Sequence, residues 1–294
     1  MLPPFKILNT NLIGDAVSEL SRLGDQAKIY GGGTELLILL RHNLLQTEYL
    51  LNIKPIAELS QIRSVEDSVR IGASVTHRRL ETDPTIRDRL PMLAGAESQV
   101  ANIRVRGQGT IGGNLCFNDP HSDPATALLV YDASVTVHGP NGARQMPLQG
   151  FLRGMYSTAL EPDELLVSID VPCLPARFGS AYLRIHRLQR PTLTVGVAAA
   201  RRNGAVEEVR LAVGCVAPMA LRLTELEAKI QGSGPEDSGK IIRESKSYLK
   251  KTLEPIDDLL GSAEYKIHIA GVLLERALAQ ALENVEKKQD GKNG

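Results

Sequence analysis

Ile29-Tyr30-Gly31-Gly32-Gly33-Thr34-Glu35-Leu36 is the stretch that decides the fold, and a second one follows about eighty residues later, Gln108-Gly109-Thr110-Ile111-Gly112-Gly113-Asn114-Leu115. We call them the first loop (29–36) and the second loop (108–115); each comes after a short β-type run. Consecutive glycines adopt positive φ readily and carry no Cβ, so several backbone N–H groups can converge on one anion. Thr34 is a good N-cap, which predicts a helix over 34–41 whose N-terminus adds partial positive charge. Together the two loops favour a dinucleotide held from two sides.

Each loop taken alone also fits a simple turn between two secondary-structure elements. Gly-Gly-Gly is typical of a tight turn between a strand and a helix, and Gly-Gly-Asn is typical of a hairpin turn. A single Rossmann site is the competing dinucleotide site, and it requires Gly-x-Gly-x-x-Gly in the first βαβ unit. This chain instead has Gly-Gly-Gly-Thr-Glu followed by a run of leucines, so the Rossmann pattern fails.

Length and charge exclude several classes of protein. The 294 residues are enough for two domains with their own cores. Lys+Arg and Asp+Glu both number 34, and this balance gives no electrostatic case for nucleic acid or an acidic membrane. The N-terminal residues do not read as a secretory signal, and no apolar run approaches the roughly 18 residues of a spanning helix. We therefore expect no membrane association and, by default, a cytoplasmic protein.

A metal site in this chain is not expected. Cys116, Cys173 and Cys215 form no C-x-x-C pair, and an iron–sulfur cluster needs four thiolates, or two thiolates with two histidines. The six histidines are scattered, without zinc-ligand spacing. We interpret the cysteines as ordinary thiols in a reducing compartment.

Periodicity and turn residues predict mixed α and β structure in three successive regions. In the first region the expected strands are 5–8, 28–30 and 49–53, and the expected helices are 12–23 and 34–41. In the second region the expected strands are 69–73, 134–142 and 165–171, and the expected helices are 84–90, 93–100 and 124–131. In the third region the expected strands are 180–187, 192–200 and 206–216, and the expected helices are 220–230, 239–253 and 263–285. The first loop would then lie at the carboxyl end of a strand, where α/β sheets bind ligands.

Four motifs in fixed order carry a specific resemblance. They are the first loop, the segment Arg104-Val105-Arg106-Gly107 running into the second loop, Asn118-Asp119-Pro120-His121-Ser122-Asp123-Pro124-Ala125, and Asp163-Glu164-Leu165-Leu166 onward to Pro172. This set resembles the FAD-binding medium subunit of the molybdenum hydroxylases, the xanthine dehydrogenase and carbon monoxide dehydrogenase family, over nearly the whole chain. The resemblance implies FAD as the dinucleotide.

The resemblance also implies the fold, an α+β chain with two domains. Residues 1–174 would form a PCMH or vanillyl-alcohol-oxidase-type FAD-binding domain, with subdomains 1–58 and 59–174. Residues 175–290 would form a C-terminal domain of the carbon monoxide dehydrogenase flavoprotein type. That second domain is expected to contain three strands followed by three helices, an arrangement in which strands and helices are segregated.

Seventeen FAD contacts are implied by the resemblance. They are Ile29, Tyr30, Gly31, Gly32, Gly33, Thr34, Glu35, Leu36, Ala101, Thr110, Ile111, Gly112, Gly113, Asn114, Asp123, Leu166 and Arg184. A carboxylate at Asp123 can accept a hydrogen bond from a sugar or ribityl hydroxyl, and it also fits the N-cap of the helix that Pro124 begins. Arg184 stands where relatives commonly place a lysine near the isoalloxazine, and it equally fits a strand-surface arginine.

Several neighbouring residues have alternative interpretations. His77 follows a segment that resembles a structural turn of the family, and Asp119 is interpreted as a turn former. Arg104 and Arg106 would neutralise a diphosphate or form surface ion pairs. After the strand of Arg184 the family usually carries an aspartate, whereas this chain has Arg190-Pro191-Thr192.

No nucleophile–base pair or paired carboxylates of a hydrolase emerge from the sequence, so no catalytic residue is assigned and the chemistry would reside in the cofactor. The resemblance implies an electron relay: a large molybdenum-cofactor subunit oxidises the substrate, and a small subunit with [2Fe–2S] clusters passes electrons to the FAD of this chain. A dimer of such heterotrimers is expected, with NAD, oxygen, a quinone or another acceptor as the terminal acceptor. The alternatives are a free-standing FAD oxidase of the same fold and a non-catalytic assembly subunit that has lost FAD.

Overall fold

The N-terminal part is a small parallel sheet with one amphipathic helix packed on it. The computed structural model describes residues 2–186 and 190–290, with side chains described as far as residue 285. The elements of this part are β1 (Lys6–Asn9), α1 (Ile13–Leu23), β2 (Ala27–Tyr30), α2 (Leu36–Arg41) and β3 (Tyr49–Asn52). Both β1 and β2 pair in parallel with the central strand β3, and such pairing requires crossover connections. The first loop therefore begins at the carboxyl end of β2, as predicted.

The central part is an antiparallel sheet with a layer of short helices. Its elements are β4 (Ile62–Val65), β5 (Ser68–Gly72), α3 (His77–Thr82), α4 (Pro84–Arg89), α5 (Pro91–Ser98), α6 (Ile103–Gln108), α7 (Ile111–Phe117), α8 (Pro124–Val130), β6 (Ser134–Gly139), β7 (Gly142–Pro147), α9 (Leu148–Phe151), β8 (Leu152–Gly154), β9 (Ser157–Thr158) and β10 (Leu165–Pro172). The strand order is β4-β5-β10-β6-β7, and β8 pairs separately with β9. The predicted hairpin turn is confirmed, since β6 pairs with β7 and Gly142 has a φ of +100°.

The C-terminal part is a second antiparallel sheet covered by helices. Its elements are β11 (Phe178–His186), β12 (Pro191–Arg202), β13 (Ala205–Gly214), β14 (Leu221–Arg222), α10 (Thr224–Ile230), α11 (Pro235–Glu244), α12 (Lys246–Leu253) and α13 (Ala263–Asp290). The order is β11-β12-β13-β14. Of the helices in the described ranges, none combines the length and the apolar character needed to cross a membrane.

The expectation of three strands and three helices in this part needs correction. Residues 221–222, predicted to be helical, pair instead with Val213 and Ala212 as a fourth strand, because a free sheet edge was available to them. The helix predicted over 239–253 is two helices divided at Ser245, whose hydroxyl donates to the carbonyl of Ile241 at 2.7 Å. A serine hydroxyl that binds the preceding turn competes with the helical ladder.

Helix α8 joins the central part to the C-terminal sheet. Every residue of α8 is buried, and two glycines of the sheet make room for it. A Cβ at Gly214 would overlap the hydroxyl of Thr126, and one at Gly196 would lie 3.0 Å from Val130 Cγ2. The hydroxyls of Thr126 and Thr194 lie 2.9 Å apart across this contact. The start of α8, where Asp123 precedes the helix, is thereby held against the C-terminal sheet.

Helix α13 packs on β11 at Gly179, and this contact gives the first prediction. A Cβ at Gly179 would overlap the carbonyl oxygen of Ala281, so Gly179→Ala must push the helix off the sheet. We expect a loss of about 1–3 kcal/mol in the free energy of unfolding, the usual cost of overpacking, measured by urea denaturation.

Gly271→Ala is the matched control for that variant. Gly271 lies on the same helix with nothing within 4 Å of the added methyl, so alanine should raise stability by up to about 1 kcal/mol through helix propensity. Equal effects of the two substitutions would contradict the proposed packing of α13 on Gly179.

Candidate functional site

The two glycine loops meet in the structure, although they are far apart in sequence. A Cβ at Gly32 would overlap the carbonyl oxygen of Gln108 and lie 2.7 Å from Gly109 Cα, so the two main chains touch. Both loops line one cavity of about 590 Å³, within the range of small-molecule sites. The prediction that they face a common cleft is confirmed.

The first loop supplies main-chain donors. Within the described residues, the amide N–H groups of Gly31 through Glu35 donate to no protein acceptor, and all five residues line the cavity. Backbone N–H groups are obligatory donors that need a partner, so five consecutive unpaired ones beside a cavity fit an anionic ligand such as a diphosphate. The first loop therefore fits the diphosphate of a dinucleotide.

The predicted backbone conformation of the first loop was correct only in part. Of its glycines, Gly33 alone has a positive φ, +76°, and Tyr30 packs its ring on that glycine. Thr34 was expected to cap α2, but the helix begins at Leu36, with Glu35 in the cap position and no side-chain cap hydrogen bond. The turn closes through the main chain instead, since Leu37 N–H donates to the carbonyl of Gly33 at 3.1 Å.

The second loop is a helix start, which corrects two expectations, that it follows a β-type run and that it fits a hairpin turn. It follows helix α6 rather than a β-run, and it opens helix α7 rather than a hairpin. The N-cap is Thr110, whose hydroxyl accepts from the N–H of Gly113 at 3.1 Å. A Thr hydroxyl is a preferred cap because it satisfies one of the unpaired N–H groups of the first turn.

Main-chain donors of the second loop are already used within the protein. The N–H of Ile111 donates to the carbonyl of Val75 at 3.0 Å, and that of Gly112 donates to the carbonyl of Ala73 at 2.9 Å. A Cβ at Gly112 would lie 2.6 Å from Ala73 Cβ. The glycine at 112 therefore allows the second loop to pack on residues that follow β5, and this loop forms a wall of the cavity more than a set of free donors.

The cavity brings together most of the predicted contact residues. Those that line it are Ile29, Gly31, Gly32, Gly33, Thr34, Glu35, Leu36, Ala101, Thr110, Gly112, Gly113, Asn114, Asp123 and Leu166. Three predicted residues are not part of its lining. Tyr30 packs beneath Gly33, Ile111 is fully buried in the hydrophobic core, and Arg184 lies behind Asp123.

Asp123 and Arg184 form a buried pair between helix α8 and strand β11. Arg184 Nε lies 2.9 Å from Asp123 Oδ1, with side chains 7% and 5% exposed, so Arg184 is not the strand-surface arginine of the alternative interpretation. Tyr182, which the sequence did not single out, donates its hydroxyl to the same oxygen at 2.9 Å. Asp123 occupies the N-cap position of α8 but makes no side-chain cap hydrogen bond; its carboxylate serves Arg184 and Tyr182 instead.

Burial sets the protonation of this pair. It raises the pKa of Asp123 to about 6, although Arg184 and the Tyr182 hydrogen bond act in the opposite direction. Glu97, a further buried carboxylate, adds to the rise. A carboxyl group that titrates near neutral pH therefore lies on the wall of the cavity.

A second charged cluster lies on the cavity wall around Asp119. The N–H of His121 donates to Asp119 Oδ1 at 2.9 Å, which confirms Asp119 as a turn former. The same carboxylate pairs with Arg190 at 2.9 Å, a contact that sequence reasoning missed because the partner is distant in the chain. Burial raises the pKa of Glu35 nearby, while Arg190 opposes the rise.

Of two other basic residues near the second loop, Arg106 binds groups outside the cavity and Arg104 is exposed. Arg106 pairs with Glu81 at 3.0 Å and donates to the carbonyl of Val100 at 2.9 Å, so its ion-pair interpretation holds. Arg104 is exposed. Cys116 lines the cavity, and burial raises the pKa of its thiol to about 12, which keeps it protonated. His77, which the sequence places after a segment that resembles a structural turn, also lies on the cavity wall.

Comparisons with known proteins agree with these observations. The model described as FAD binding domain in molybdopterin dehydrogenase matches residues 3–174, and the CO dehydrogenase flavoprotein C-terminal domain matches residues 181–281. The carbon monoxide dehydrogenase medium chain of Hydrogenophaga pseudoflava is 34% identical over 284 residues, which is 96% of this chain and 98% of that protein. The xanthine dehydrogenase FAD-binding subunit of Escherichia coli O157:H7 is 33% identical over 275 residues, 92% and 93% of the two chains.

Solved structures give the same result. A carbon monoxide dehydrogenase from Hydrogenophaga pseudoflava that lacks the Mo-pyranopterin moiety matches with a TM-score of 0.92 at 35% identity, over 97% of this chain and 99% of that one. The reconstituted CO dehydrogenase from Oligotropha carboxidovorans matches with a TM-score of 0.92 at 28% identity, over the same shares. The matches cover nearly the whole chain, as the four ordered motifs had indicated.

The raised pKa of Asp123 predicts a specific dependence of stability on pH. An unfolded aspartate titrates near 3.9, so the folded protein holds this proton more tightly than the unfolded chain. This tighter binding of the proton adds to the free energy of unfolding below pH 4. The contribution, on the order of 3 kcal/mol, is lost as pH rises through 6.

The measurement compares the protein with its Asp123→Asn variant, both free of ligand, by urea denaturation between pH 4 and 7. Asparagine has similar shape and does not titrate, so the difference isolates Asp123. We expect the unfolding free energy of the original protein to fall relative to that of the variant as pH rises. A difference that is constant or that grows with pH would show that Asp123 is ionised throughout.

Proposed function

Since the chain belongs to the family of FAD-binding medium subunits of molybdenum hydroxylases, we propose that it is the electron-transfer subunit of such a complex, with FAD held between the two glycine loops. FAD is the cofactor of this family's N-terminal domain, and the relatives are subunits of dehydrogenases. The proposal therefore concerns two points, the binding of FAD between the loops and the direction of electron flow.

One observation carries the loop site: five consecutive unpaired N–H groups of the first loop face a cavity that the second loop closes. A diphosphate matches this array because its oxygens accept several hydrogen bonds at once, and because the absence of Cβ atoms allows main chain to approach closely. Charge alone would not select an anion here, since Arg190 and Arg184 are both paired with carboxylates.

Bound FAD would supply the redox chemistry, accepting electrons one at a time and releasing them in pairs. The chain's own residues would bind and orient it. The first loop would hold the diphosphate, and the second loop would shape the wall against which it rests. Asp123 lines the same cavity and would accept from a hydroxyl of the ligand, while Arg184 and Tyr182 hold its carboxylate in place.

The partners follow from the relatives. We propose that a large subunit with the molybdenum cofactor oxidises the substrate, and that a small subunit with [2Fe–2S] clusters passes the electrons to this chain. A dimer of heterotrimers in the cytoplasm stays part of this prediction, as do the domain limits 1–174 and 175–290. The terminal acceptor in this proposal is NAD, oxygen, a quinone or another acceptor.

The contact between the loops predicts how FAD binding depends on Gly32. In Gly32→Ala the added methyl would meet Gln108 and Gly109 and force the two loops apart. We expect the dissociation constant for FAD to rise tenfold or more, since overpacking of about 1.4 kcal/mol already gives that factor. The measurement is quenching of flavin fluorescence as the ligand-free chain is titrated into FAD.

Gly95→Ala is the matched control, because Gly95 lies on helix α5 with nothing within 4 Å of an added methyl. It should bind FAD as the original chain does. If Gly32→Ala also binds FAD normally, the site between the loops is wrong; if no form of the chain binds FAD, the proposed function itself fails.

Composition of the native complex tests the relay. Purified under native conditions, this 31.9 kDa chain should elute in a much larger particle that contains molybdenum, pterin and iron. The isolated chain should bind FAD but should not have its flavin reduced by an organic substrate. A chain that elutes alone and is reduced by such a substrate would favour the free-standing oxidase, and a chain that never binds FAD would favour the assembly subunit.

A further inference from the structure

A buried histidine–carboxylate pair borders the second loop, and the proposed function does not use it. His77 Nδ1 is 2.7 Å from Glu97 Oε2, and the two side chains are 4% and 0% exposed. His77 begins helix α3 and Glu97 lies on α5. The other carboxylate oxygen, Glu97 Oε1, has no hydrogen-bond partner among the described residues. Burying a carboxylate with one oxygen unsatisfied costs stability, so this pair calls for an explanation other than stability.

The histidine ring has one neighbour of interest, Gly109. A Cβ at Gly109 would lie 3.0 Å from His77 Cδ2 and 3.4 Å from His77 Nε2, so the ring edge opposite Glu97 rests against this glycine. The main chains are also joined, since His77 N–H donates to the carbonyl of Gly109 at 3.1 Å. His77 thus holds Gly109 with both its backbone and its ring.

Gly109 in turn contacts the first loop. A Cβ at Gly32 would lie 2.7 Å from Gly109 Cα, so Gly109 contacts both the His77 ring and Gly32. Gly32 belongs to the run of unpaired N–H donors. A continuous chain of contacts therefore leads from the buried carboxylate of Glu97 through His77 and Gly109 to the donors of the first loop.

We propose that Glu97 and His77 form a positioning pair for the FAD site: Glu97 fixes the orientation of the His77 ring, and the ring fixes the separation of the two glycine loops. The inference rests on the proposed function, because the loops matter as a pair only if one ligand lies between them. The hydrogen bond between Nδ1 and Glu97 Oε2 at 2.7 Å gives the ring one defined orientation. A hydrogen-bonded partner that orients a histidine is a common way to fix a functional ring.

Three variants separate the effect of the His77 ring orientation from the effects of side-chain volume and of the charge at Glu97. His77→Asn keeps an amide N–H near the position of Nδ1 for Glu97 but removes the ring edge from Gly109. Glu97→Gln keeps an oxygen that accepts from Nδ1–H but removes the charge. Glu97→Leu keeps most of the volume but removes the acceptor. The control is Glu227→Gln in the Arg222–Glu227 pair, which joins at 2.6 Å with side chains 10% and 12% exposed and lies in the C-terminal part.

The full chain is freed of FAD and titrated with FAD at a temperature where each variant retains the circular dichroism of the original. We expect the FAD dissociation constant to rise about tenfold or more in His77→Asn and Glu97→Leu, the factor that corresponds to about 1.4 kcal/mol. In Glu97→Gln and Glu227→Gln it should stay within about threefold, which is under 1 kcal/mol on the same scale. Hydrogen exchange of a peptide covering 103–117 should become faster in the two weak binders before FAD is added, and unchanged in the others.

The outcomes distinguish this inference from the proposed function. If the original chain binds no FAD, the proposed function fails first. If it binds FAD and His77→Asn or Glu97→Leu binds equally well, the positioning pair is wrong while the loop site stands. Weak binding by Glu97→Gln would assign the role to charge instead of orientation, and failure of both weak-binder variants to fold would assign the pair to the fold; either result overturns the inference.

Discussion

The rest of the structure depends on a contact between two stretches of main chain that leaves no room for a side chain. Gly32 lies on Gln108 and Gly109, and Gly112 lies on Ala73. These contacts lock the parallel sheet, the second loop and the segment after β5 into one wall around the cavity. Because Cβ atoms cannot be accommodated at these points, glycine is required for packing of protein on protein, in addition to any approach of a ligand.

Hydrogen bonding divides the two loops into different roles. The second loop uses its N–H groups on Val75, Ala73 and its own Thr110 cap, so it is fixed before any ligand arrives. In the first loop, the N–H groups of Gly31 through Glu35 have no acceptor among the residues that the structure describes, a state that is unfavourable unless water or a ligand accepts from them. A site built in this way combines a wall that is already ordered, which lowers the cost of binding, with a donor array that gains hydrogen-bond partners when an anion binds.

Local features of the fold could be predicted from the sequence. The apolar face of α1, the strand before the first loop, the hairpin at 140–142 and the helix at Pro124 were read correctly because each depends on neighbouring residues. Three features were not predicted: the start of α2, the helical nature of the second loop and the division at Ser245. At these points main-chain hydrogen bonds and packing outweighed the local preferences of the residues. Pairs such as His77–Glu97 had no signal in the sequence, because the partners are brought together only by the tertiary fold.

The charges around the cavity lead to one further step. Asp123 neutralises Arg184, and Asp119 neutralises Arg190, so the two arginines do not act as free cations toward a ligand. Protonation of Asp123 near pH 6 removes the negative charge that lies 2.9 Å from the Arg184 guanidinium. The electrostatic potential at this part of the cavity wall therefore becomes more positive as pH falls through 6, which favours an anionic ligand over a neutral one.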